Sequence, residues 1–276
     1  MKLIDIHAHL QFPEFDEDRE RVIGRARAAG IGVINVGTDL ETSQAAVALA
    51  EANPEMWATV GLHPTDLPAP SEVANILSEL TKLASQPKVV AIGECGLDTR
   101  EPKFDLSSES GRRQVEIFER QIELAIKVKK PLMLHIRRAY DEVLGVLSNF
   151  KNQAVDLRAN VHFFAGDWST ASQFLDRGFS LSFTGVITFP PKAGQPRADA
   201  EEVIKKLPLD RLMVETDCPF VAPVPQRGRR NEPVYVEEVV KQLAILRHLT
   251  PAAIEEATLA NARRFFNLPA VSLPVG

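Results

Sequence analysis

Short apolar runs rich in Val, Ile and Leu alternate with longer segments of helical periodicity along nearly the whole chain. The apolar runs predict eight strands, near residues 2–6, 32–36, 56–62, 89–93, 131–135, 160–163, 179–183 and 212–215. The periodic segments predict helices near residues 18–29, 40–52, 71–84, 110–129, 140–147, 169–177, 197–206 and 234–247, with a last helix after Thr250 as its N-cap. Eight strand-then-helix units predict an α/β fold of the (β/α)8, or TIM-barrel, class, and a doubly wound open sheet is the alternative.

No Pro-, Gly- or Ser-rich linker, composition shift or low-complexity tract interrupts this alternation. The chain is therefore predicted to form one domain over residues 1–276. Its longest irregular stretches, 98–108, 184–195 and 218–232, each follow a predicted strand. In a barrel such loops lie over the carboxyl ends of the strands, where active sites are built.

The histidines are distributed unevenly along this pattern. Five of the six lie at the carboxyl end of a predicted strand, namely His7, His9, His63, His135 and His162. The carboxylates of Glu94 and Asp217 close two further strands. The sixth histidine, His248, lies near the end of a predicted helix and is expected at the surface, beside the helix C-terminus. The other seven side chains outline a site at one mouth of the barrel.

Spacing and burial suggest what these side chains bind. His7 and His9 are two residues apart, so both leave the same face of an extended chain. That spacing suits two imidazoles on one metal ion, and hydrogen-bonded turn residues are the alternative. Glu94 and Asp217 each lie at the end of an apolar strand, where an unpaired carboxylate would be costly to bury. Each therefore needs a metal ion or a nearby arginine as its partner.

Taken together, several imidazoles and two carboxylates at one barrel mouth match mixed nitrogen and oxygen ligation of divalent ions. They provide enough ligands for two ions, with Mg²⁺, Mn²⁺ and Zn²⁺ as candidates. Cys95 and Cys218 adjoin the two carboxylates in sequence. Because the neighbour of an inward-facing strand residue points to the helix layer, both are expected to be buried thiols that do not bind metal.

Composition and charge limit the cellular compartment in which we expect the protein and the kinds of partner it binds. The chain is 45% hydrophobic and 25% charged, as globular proteins are. Two isolated cysteines indicate reduced thiols, and Asp5, His7 and His9 occupy the place of a signal-peptide apolar core. We expect a cytoplasmic monomer that has no membrane partner. The net charge of −5 gives no global attraction to nucleic acid, so any polyanion site must be local.

Six short motifs lie at or after the strand ends: D-I-H-A-H-L from Asp5, G-L-H-P from Gly61, G-E-C-G-L-D from Gly93, P-L-M-L-H-I-R from Pro131, E-T-D from Glu215 and R-G-R-R-N-E-P from Arg227. Their order resembles the TatD family of metal-dependent deoxyribonucleases, within the wider amidohydrolase-like metal-dependent hydrolases. The resemblance covers almost the whole chain. Two positions depart from it, since Thr99 stands where family members often have an aromatic residue, and the glycine after His162 is delayed to Gly166.

The resemblance implies two divalent metal ions. By matching position, one ion would be held by His7, His9, Glu94 and Asp217, and the other by Glu94, His135 and His162, with Glu94 bridging them. Asp217, Glu94 and His63 are the implied catalytic residues, and Asp217 is the candidate to orient or deprotonate the attacking water. His63 would lie near the substrate instead of on the metals, and a turn histidine packed on Pro64 is its alternative.

The implied reaction is phosphodiester hydrolysis by a metal-activated water, with single-stranded DNA or exposed DNA ends as the substrate. Local positive charge agrees with this, because the loops 218–232 and 184–197 each carry an excess of basic residues. The second loop owes its excess to Lys192 and Arg197. The predicted substrate contacts are Arg137, Arg227, Arg229 and Arg230, whose guanidinium groups suit phosphates, and the alternative for each is pairing with a surface carboxylate.

Five aromatic residues lie on or next to the mouth loops, and each could either stack on unpaired bases or close the top of the core. They are Phe12, Phe15, Phe104, Phe189 and Phe220.

A second function, hydrolysis of another ester or of an amide, is open to the same metal centre, as in a D-aminoacyl-tRNA deacylase, a lactonase or an amidohydrolase. A third is a binding protein without catalysis on an inherited barrel.

Overall fold

A computed structural model of the chain describes residues 1–99, 106–150, 157–190 and 198–269. Within these residues, eight parallel strands pair in chain order from β1 to β8. The strands are β1 Leu3–Ala8, β2 Ile31–Val36, β3 Met56–Val60, β4 Val89–Asp98, β5 Leu132–Arg137, β6 Ala159–Val161, β7 Ser180–Phe183 and β8 Leu212–Val214. Lys192, Arg197 and Phe104, which the sequence analysis singled out, lie outside the described residues.

The sheet closes where the segment after β8 meets β1. Ala8 forms a parallel bridge with Cys218. The amide of Asp217 donates to the carbonyl of His7 and the amide of His9 donates to the carbonyl of Cys218, each at 2.8 Å. The predicted TIM barrel is confirmed, and this closure rules out the open sheet.

Helices follow the strands in alternation, as the periodicity predicts. They are α1 Arg19–Ala28, α2 Leu40–Ala52, α3 Val73–Ala84, α4 Glu109–Val128, α5 Tyr140–Ser148, α6 Trp168–Leu175, α7 Ala198–Lys206, α8 Val236–Arg247 and α9 Pro251–Phe266. Thr250 is the N-cap of α9, and its side chain accepts a hydrogen bond from the amide of Ala253. No helix among the described residues combines the length and the apolarity needed to cross a bilayer.

Strand β4 differs most from its predicted bounds, because it continues five residues past Gly93 to Asp98. Its last part pairs with β5, where Gly96 lies opposite His135. Gly96 has φ +143°, and a Cβ atom there would overlap the carbonyl oxygen of His135. The glycine therefore allows β4 and β5 to approach closely at the barrel mouth, and the strand carries Glu94 and Asp98 into the same region.

Two apolar clusters make the core. The larger one packs strand residues against the helices and includes Cys95 and Cys218, which are free, buried thiols as expected. The smaller one joins side chains of β1 to β5 and β8 to Phe265 and Phe266 of α9. Because its strand members come from around the ring, this cluster fills the barrel interior, and α9 packs against it. The space above it, at the carboxyl ends of the strands, holds the polar side chains.

Candidate metal centre

The structure brings together the histidines and carboxylates predicted at the strand ends. His7, Glu94 and His162 are close enough for one atom of each to lie within 4.8 Å of the others, and the same holds for His7, His9 and Asp217, and for His63, Glu94 and His135. These side chains are buried at the mouth, with His7 fully inaccessible and Asp217 16% exposed. Water therefore competes poorly for their ligand atoms.

The carboxylate of Glu94 lies at the centre of the cluster. Its Oε2 is 3.4 Å from Nε2 of His7 and 3.9 Å from Nε2 of His9. Its Oε1 is 2.7 Å from Nδ1 of His135 and 3.0 Å from Nε2 of His162. The two oxygens of one carboxylate thus face two different pairs of imidazoles, which is the arrangement that a ligand shared by two cations requires.

Hydrogen bonding determines which ring nitrogen of His9 faces the centre. Its Nδ1 is 2.8 Å from the carbonyl oxygen of Val36, so Nδ1 carries the proton and donates it. The lone pair of Nε2 then points toward Nε2 of His7, 3.2 Å away, and toward Oδ1 of Asp217, 3.5 Å away. Lone pairs of nitrogen and oxygen atoms therefore face one another at this point and repel each other. A divalent cation placed between them would bind these atoms and remove the repulsion.

Glu94 and His7 are in forms that fit a cation, whereas nearby carboxylates outweigh burial and raise the pKa of His9, His135 and His162, whose protons a cation would displace. Burial opposes ionisation of Glu94, but the surrounding imidazoles, His162 above all, outweigh it and hold the pKa of this carboxyl well below its usual range. Burial, helped by the nearby His162, lowers the pKa of His7. Glu94 is therefore an anion and His7 a neutral imidazole at neutral pH, and both are in the forms that bind metal ions.

His63 is placed differently from the other histidines. Its Nδ1 lies 2.7 Å from the hydroxyl of Thr65 and 3.2 Å from the backbone amide of Thr65, which can only donate, so we place the proton of the neutral ring on Nε2. That Nε2 is 3.7 Å from Oε1 of Glu94, and burial lowers the pKa of His63 to about 4. A neutral ring that presents an N–H group to the centre can donate a hydrogen bond to a substrate, and the place of His63 beside the substrate stays a prediction.

The metal cluster forms the floor of an open cavity of about 770 Å³. Arg137 and Arg138, at the end of β5, line this cavity together with Phe12 and Phe220. Thr99, the residue that departs from the family pattern, holds this strand end, since its hydroxyl donates to the carbonyls of Arg137 and Arg138. Arg137 is thus the one predicted substrate arginine that the cavity wall includes.

The other three predicted arginines lie in the loop after β8, away from this wall. Arg230 forms a two-pronged ion pair with Asp18, at 2.7 and 2.8 Å, and its guanidinium stacks on Phe15 at 4.5 Å. Arg230 therefore pairs with a surface carboxylate, which was the alternative to a substrate contact. It attaches the loop to the start of α1, and we do not retain it as a substrate contact. The guanidinium of Arg227 lies 4.4 Å above the ring of Phe189, and Arg229 is exposed.

The sequence model of the family described as TatD related DNase matches residues 4–267. The chain belongs to this family. It is 39% identical over 267 residues to the uncharacterized metal-dependent hydrolase YabD of Bacillus subtilis, an alignment that covers 96% of this chain and 99% of YabD. It is 36% identical to the 3'-5' ssDNA/RNA exonuclease TatD of Erwinia billingiae, covering 97% of this chain and all of that protein.

Solved TatD structures share the fold. The TatD homologue YJJV of Escherichia coli superposes with a TM-score of 0.83 at 32% identity, over 97% of this chain and 99% of that one. A TatD family hydrolase of Entamoeba histolytica, 22% identical, superposes with a TM-score of 0.79 over 96% of this chain and 97% of that one. The TatD resemblance inferred from the strand-end motifs is confirmed over the length of the barrel.

Three buried carboxylates that the strand-end pattern did not single out lie behind the metal cluster. Oδ2 of Asp98 is 3.2 Å from Nε2 of His135, on the far side of the ring from Glu94. Oε1 of Glu215 is 3.4 Å from Nδ1 of His162, and the carboxylate of Asp5 accepts from the amide of His7 at 3.2 Å.

Asp98 and Glu215 contact ring nitrogens, and such partners fix the orientation and tautomer of ligating imidazoles, whereas Asp5 holds the backbone of His7. Each carboxylate lies two residues from a predicted ligand, or four residues in the case of Asp98 and Glu94, and this spacing was a signal that could have found them.

Proposed function

We propose that this chain is a divalent-metal-dependent exonuclease that hydrolyses the phosphodiester bonds of single-stranded DNA or RNA from the 3' end. The observation that carries the proposal is the carboxylate of Glu94, whose two oxygens face two separate groups of imidazoles at the barrel mouth. Its membership of the TatD related DNase family supports the reaction class, and the relatives named 3'-5' ssDNA/RNA exonucleases support the polarity.

The donor set indicates which residues hold the metal ions. In this proposal one ion takes His7, His9, Glu94 and Asp217, and the other takes Glu94, His135 and His162. Imidazole nitrogens mixed with carboxylate oxygens suit Mn²⁺ or Zn²⁺ better than Mg²⁺, which prefers oxygen ligands. When bound, two such ions supply a water of lowered pKa and positive charge beside the phosphoryl oxygens.

The side chains that line the cavity assign the remaining roles. Asp217 is the partly exposed member of its ligand group, so its carboxylate orients the attacking water and accepts its proton. The Nε2–H group of His63 faces Glu94 in the same cavity and donates to a phosphoryl oxygen of the substrate. Arg137 binds a neighbouring phosphate from the cavity wall, and Arg227 and Arg229 stay predictions for phosphates farther out.

Cleavage of an end-labelled single-stranded oligonucleotide tests this proposal. Purified protein with Mn²⁺ or Mg²⁺ is expected to shorten the strand stepwise from its 3' end, and EDTA or Asp217→Asn to abolish the shortening. No cleavage with any metal, together with hydrolysis of an ester or amide substrate, would instead favour the aminoacyl-ester, lactone or amide hydrolase that the sequence left open. Three further expectations stay predictions: residues 1–276 form a single domain, the protein is a monomer, and it is located in the cytoplasm.

A further inference from the structure

An aromatic side chain is exposed at the mouth of the cavity. Phe220 is 48% exposed, and it is the only aromatic residue among the large apolar side chains that the described part of the chain leaves exposed. It lines the cavity above the metal cluster. A single exposed apolar side chain is ordinary, but an exposed ring that lines a concave site beside a second ring, Phe12, indicates a ligand surface.

The backbone around Phe220 is fixed by buried hydrogen bonds. The side-chain amide of Asn231, which is fully buried, donates to the carbonyl of Phe220 at 2.6 Å and to that of Thr216 at 2.9 Å. The amide of Phe220 donates to the carbonyl of Asp217 at 2.9 Å. Phe220 is thus tied to the segment that carries a proposed metal ligand, and its ring is positioned before any substrate arrives.

A second ring extends this surface to the metal cluster. The ring of Phe12 lies parallel to that of His9, with centroids 4.6 Å apart, and Phe220 meets Phe12 edge-on at 6.4 Å. Phe12 and Phe220 together form an apolar wall, which we call the aromatic wall. It begins at a proposed metal ligand and ends in solvent, so a group held against it lies next to the reacting centre.

The same cavity combines this apolar wall with positive charge. Arg137 and Arg138 line it, and within the described residues neither guanidinium pairs with a carboxylate. An apolar wall, together with guanidinium groups that pair with no carboxylate in the described part of the chain, matches the two chemical parts of a nucleotide, its base and its phosphates. The cavity volume of about 770 Å³ lies in the range of sites for small organic ligands.

We propose that Phe220, backed by Phe12, stacks on the unpaired base of the terminal nucleotide and so selects single strands over duplex ends. This inference rests on the proposed exonuclease function and specifies its substrate. A base within a duplex already stacks on its neighbours and pairs with its partner, so it reaches the aromatic wall only after those contacts are broken. A frayed or single-stranded end presents the base without that cost.

The test compares two substrates that differ only in the terminal base. One is a single-stranded oligonucleotide with an ordinary 3'-terminal nucleotide, and the other carries an abasic nucleotide there. Because stacking on an aromatic ring contributes on the order of tenfold in affinity or more per base, Phe220→Ala is expected to lose about tenfold in kcat/KM on the first substrate. Its loss on the abasic substrate is expected to be much smaller, since no base is there to stack.

Two further variants separate stacking from a general disturbance of the mouth. Phe220→Trp keeps a flat ring and is expected to restore cleavage of the ordinary substrate and the preference for single strands over duplex ends. Leu249→Ala removes a side chain that is 40% exposed between α8 and α9 and is expected to match the wild type on both substrates.

Equal losses by Phe220→Ala on the ordinary and the abasic substrate, or no loss on either, would overturn the stacking proposal while leaving the exonuclease proposal intact. Failure of the wild type to cleave either substrate with Mn²⁺ or Mg²⁺ would overturn both.

Discussion

At the scale of single residues, the contacts behind the metal cluster decide how its imidazoles are presented. His135 has one ring nitrogen 2.7 Å from Glu94 and the other 3.2 Å from Asp98. Both carboxylates can only accept, and because a cation held by Glu94 would take the lone pair of Nδ1, Asp98 is placed to keep the remaining proton on Nε2. The strand-end pattern identified the imidazole, but its partner depends on how far β4 continues beyond Glu94.

Asp98→Asn is expected to weaken Mn²⁺ binding by about 10- to 100-fold, because the neutral amide no longer orients His135 as firmly. Titration of the purified variant with Mn²⁺, followed by electron paramagnetic resonance of the free ion, measures this change. Asp210→Asn replaces an aspartate whose side chain is 63% exposed and serves as the matched control. Unchanged Mn²⁺ affinity in the Asp98 variant would show that Asp98 does not position His135.

The ion pair of Arg230 with Asp18 illustrates what a loop sequence does not reveal. The side chain of Arg230 donates its hydrogen bonds to Asp18 and so lowers the pKa of that carboxyl. A carboxyl whose pKa is lowered in the folded state adds stability above its ordinary pKa, and this contribution is lost as the pH falls through the lowered value.

Arg230→Met is therefore expected to lower the melting temperature at neutral pH, and the difference from the wild type should shrink in strongly acidic buffer. Thermal melts at both pH values measure it. Arg229→Met, in the same loop, changes an exposed arginine that forms no ion pair among the described residues, and it should melt like the wild type at each pH. A pH-independent difference for the Arg230 variant would mean that its packing on Phe15, and not its charge, stabilises the loop.

At the scale of elements, the end of β4 brings the two halves of the metal cluster together. The strand presents Glu94 to His7 of β1 and, through its pairing with β5, to His135. Apolar periodicity ended this strand at Gly93, because the polar and small residues of the G-E-C-G-L-D motif do not look like a strand. Tertiary pairing overrides that local signal, so its length was not predictable from the pattern.

Gly96→Ala is expected to destabilise the protein by about 2 kcal/mol or more, because the new methyl group overlaps the carbonyl of His135 and the φ of +143° is strained for alanine. Urea denaturation measures the change in the free energy of unfolding. Gly145→Ala, in α5, meets no atom within 4 Å and should instead stabilise by about 0.5–1 kcal/mol. Equal effects of the two substitutions would contradict the close approach of β4 and β5.

At the scale of the whole molecule, the order of strands and helices and the strand-end histidines were sufficient to predict the barrel and its functional mouth. His7, Glu94 and Asp217 are far apart in sequence, and they meet because the carboxyl ends of parallel strands meet at one rim. The aromatic wall and the ion pair of Arg230 depend on loop conformations and on contacts between distant segments, which local pattern does not encode.

The central claim is that Glu94 joins two metal ions at this rim, and metal content measures it most directly. After loading with Mn²⁺ and removal of the free ion, mass spectrometry of the metal should find two ions per wild-type chain and at most one in Glu94→Gln, because an amide cannot replace a bridging carboxylate. His248→Ala, which changes an exposed histidine at the end of α8, should keep both. Two ions retained by Glu94→Gln, or none bound by the wild type, would contradict the account.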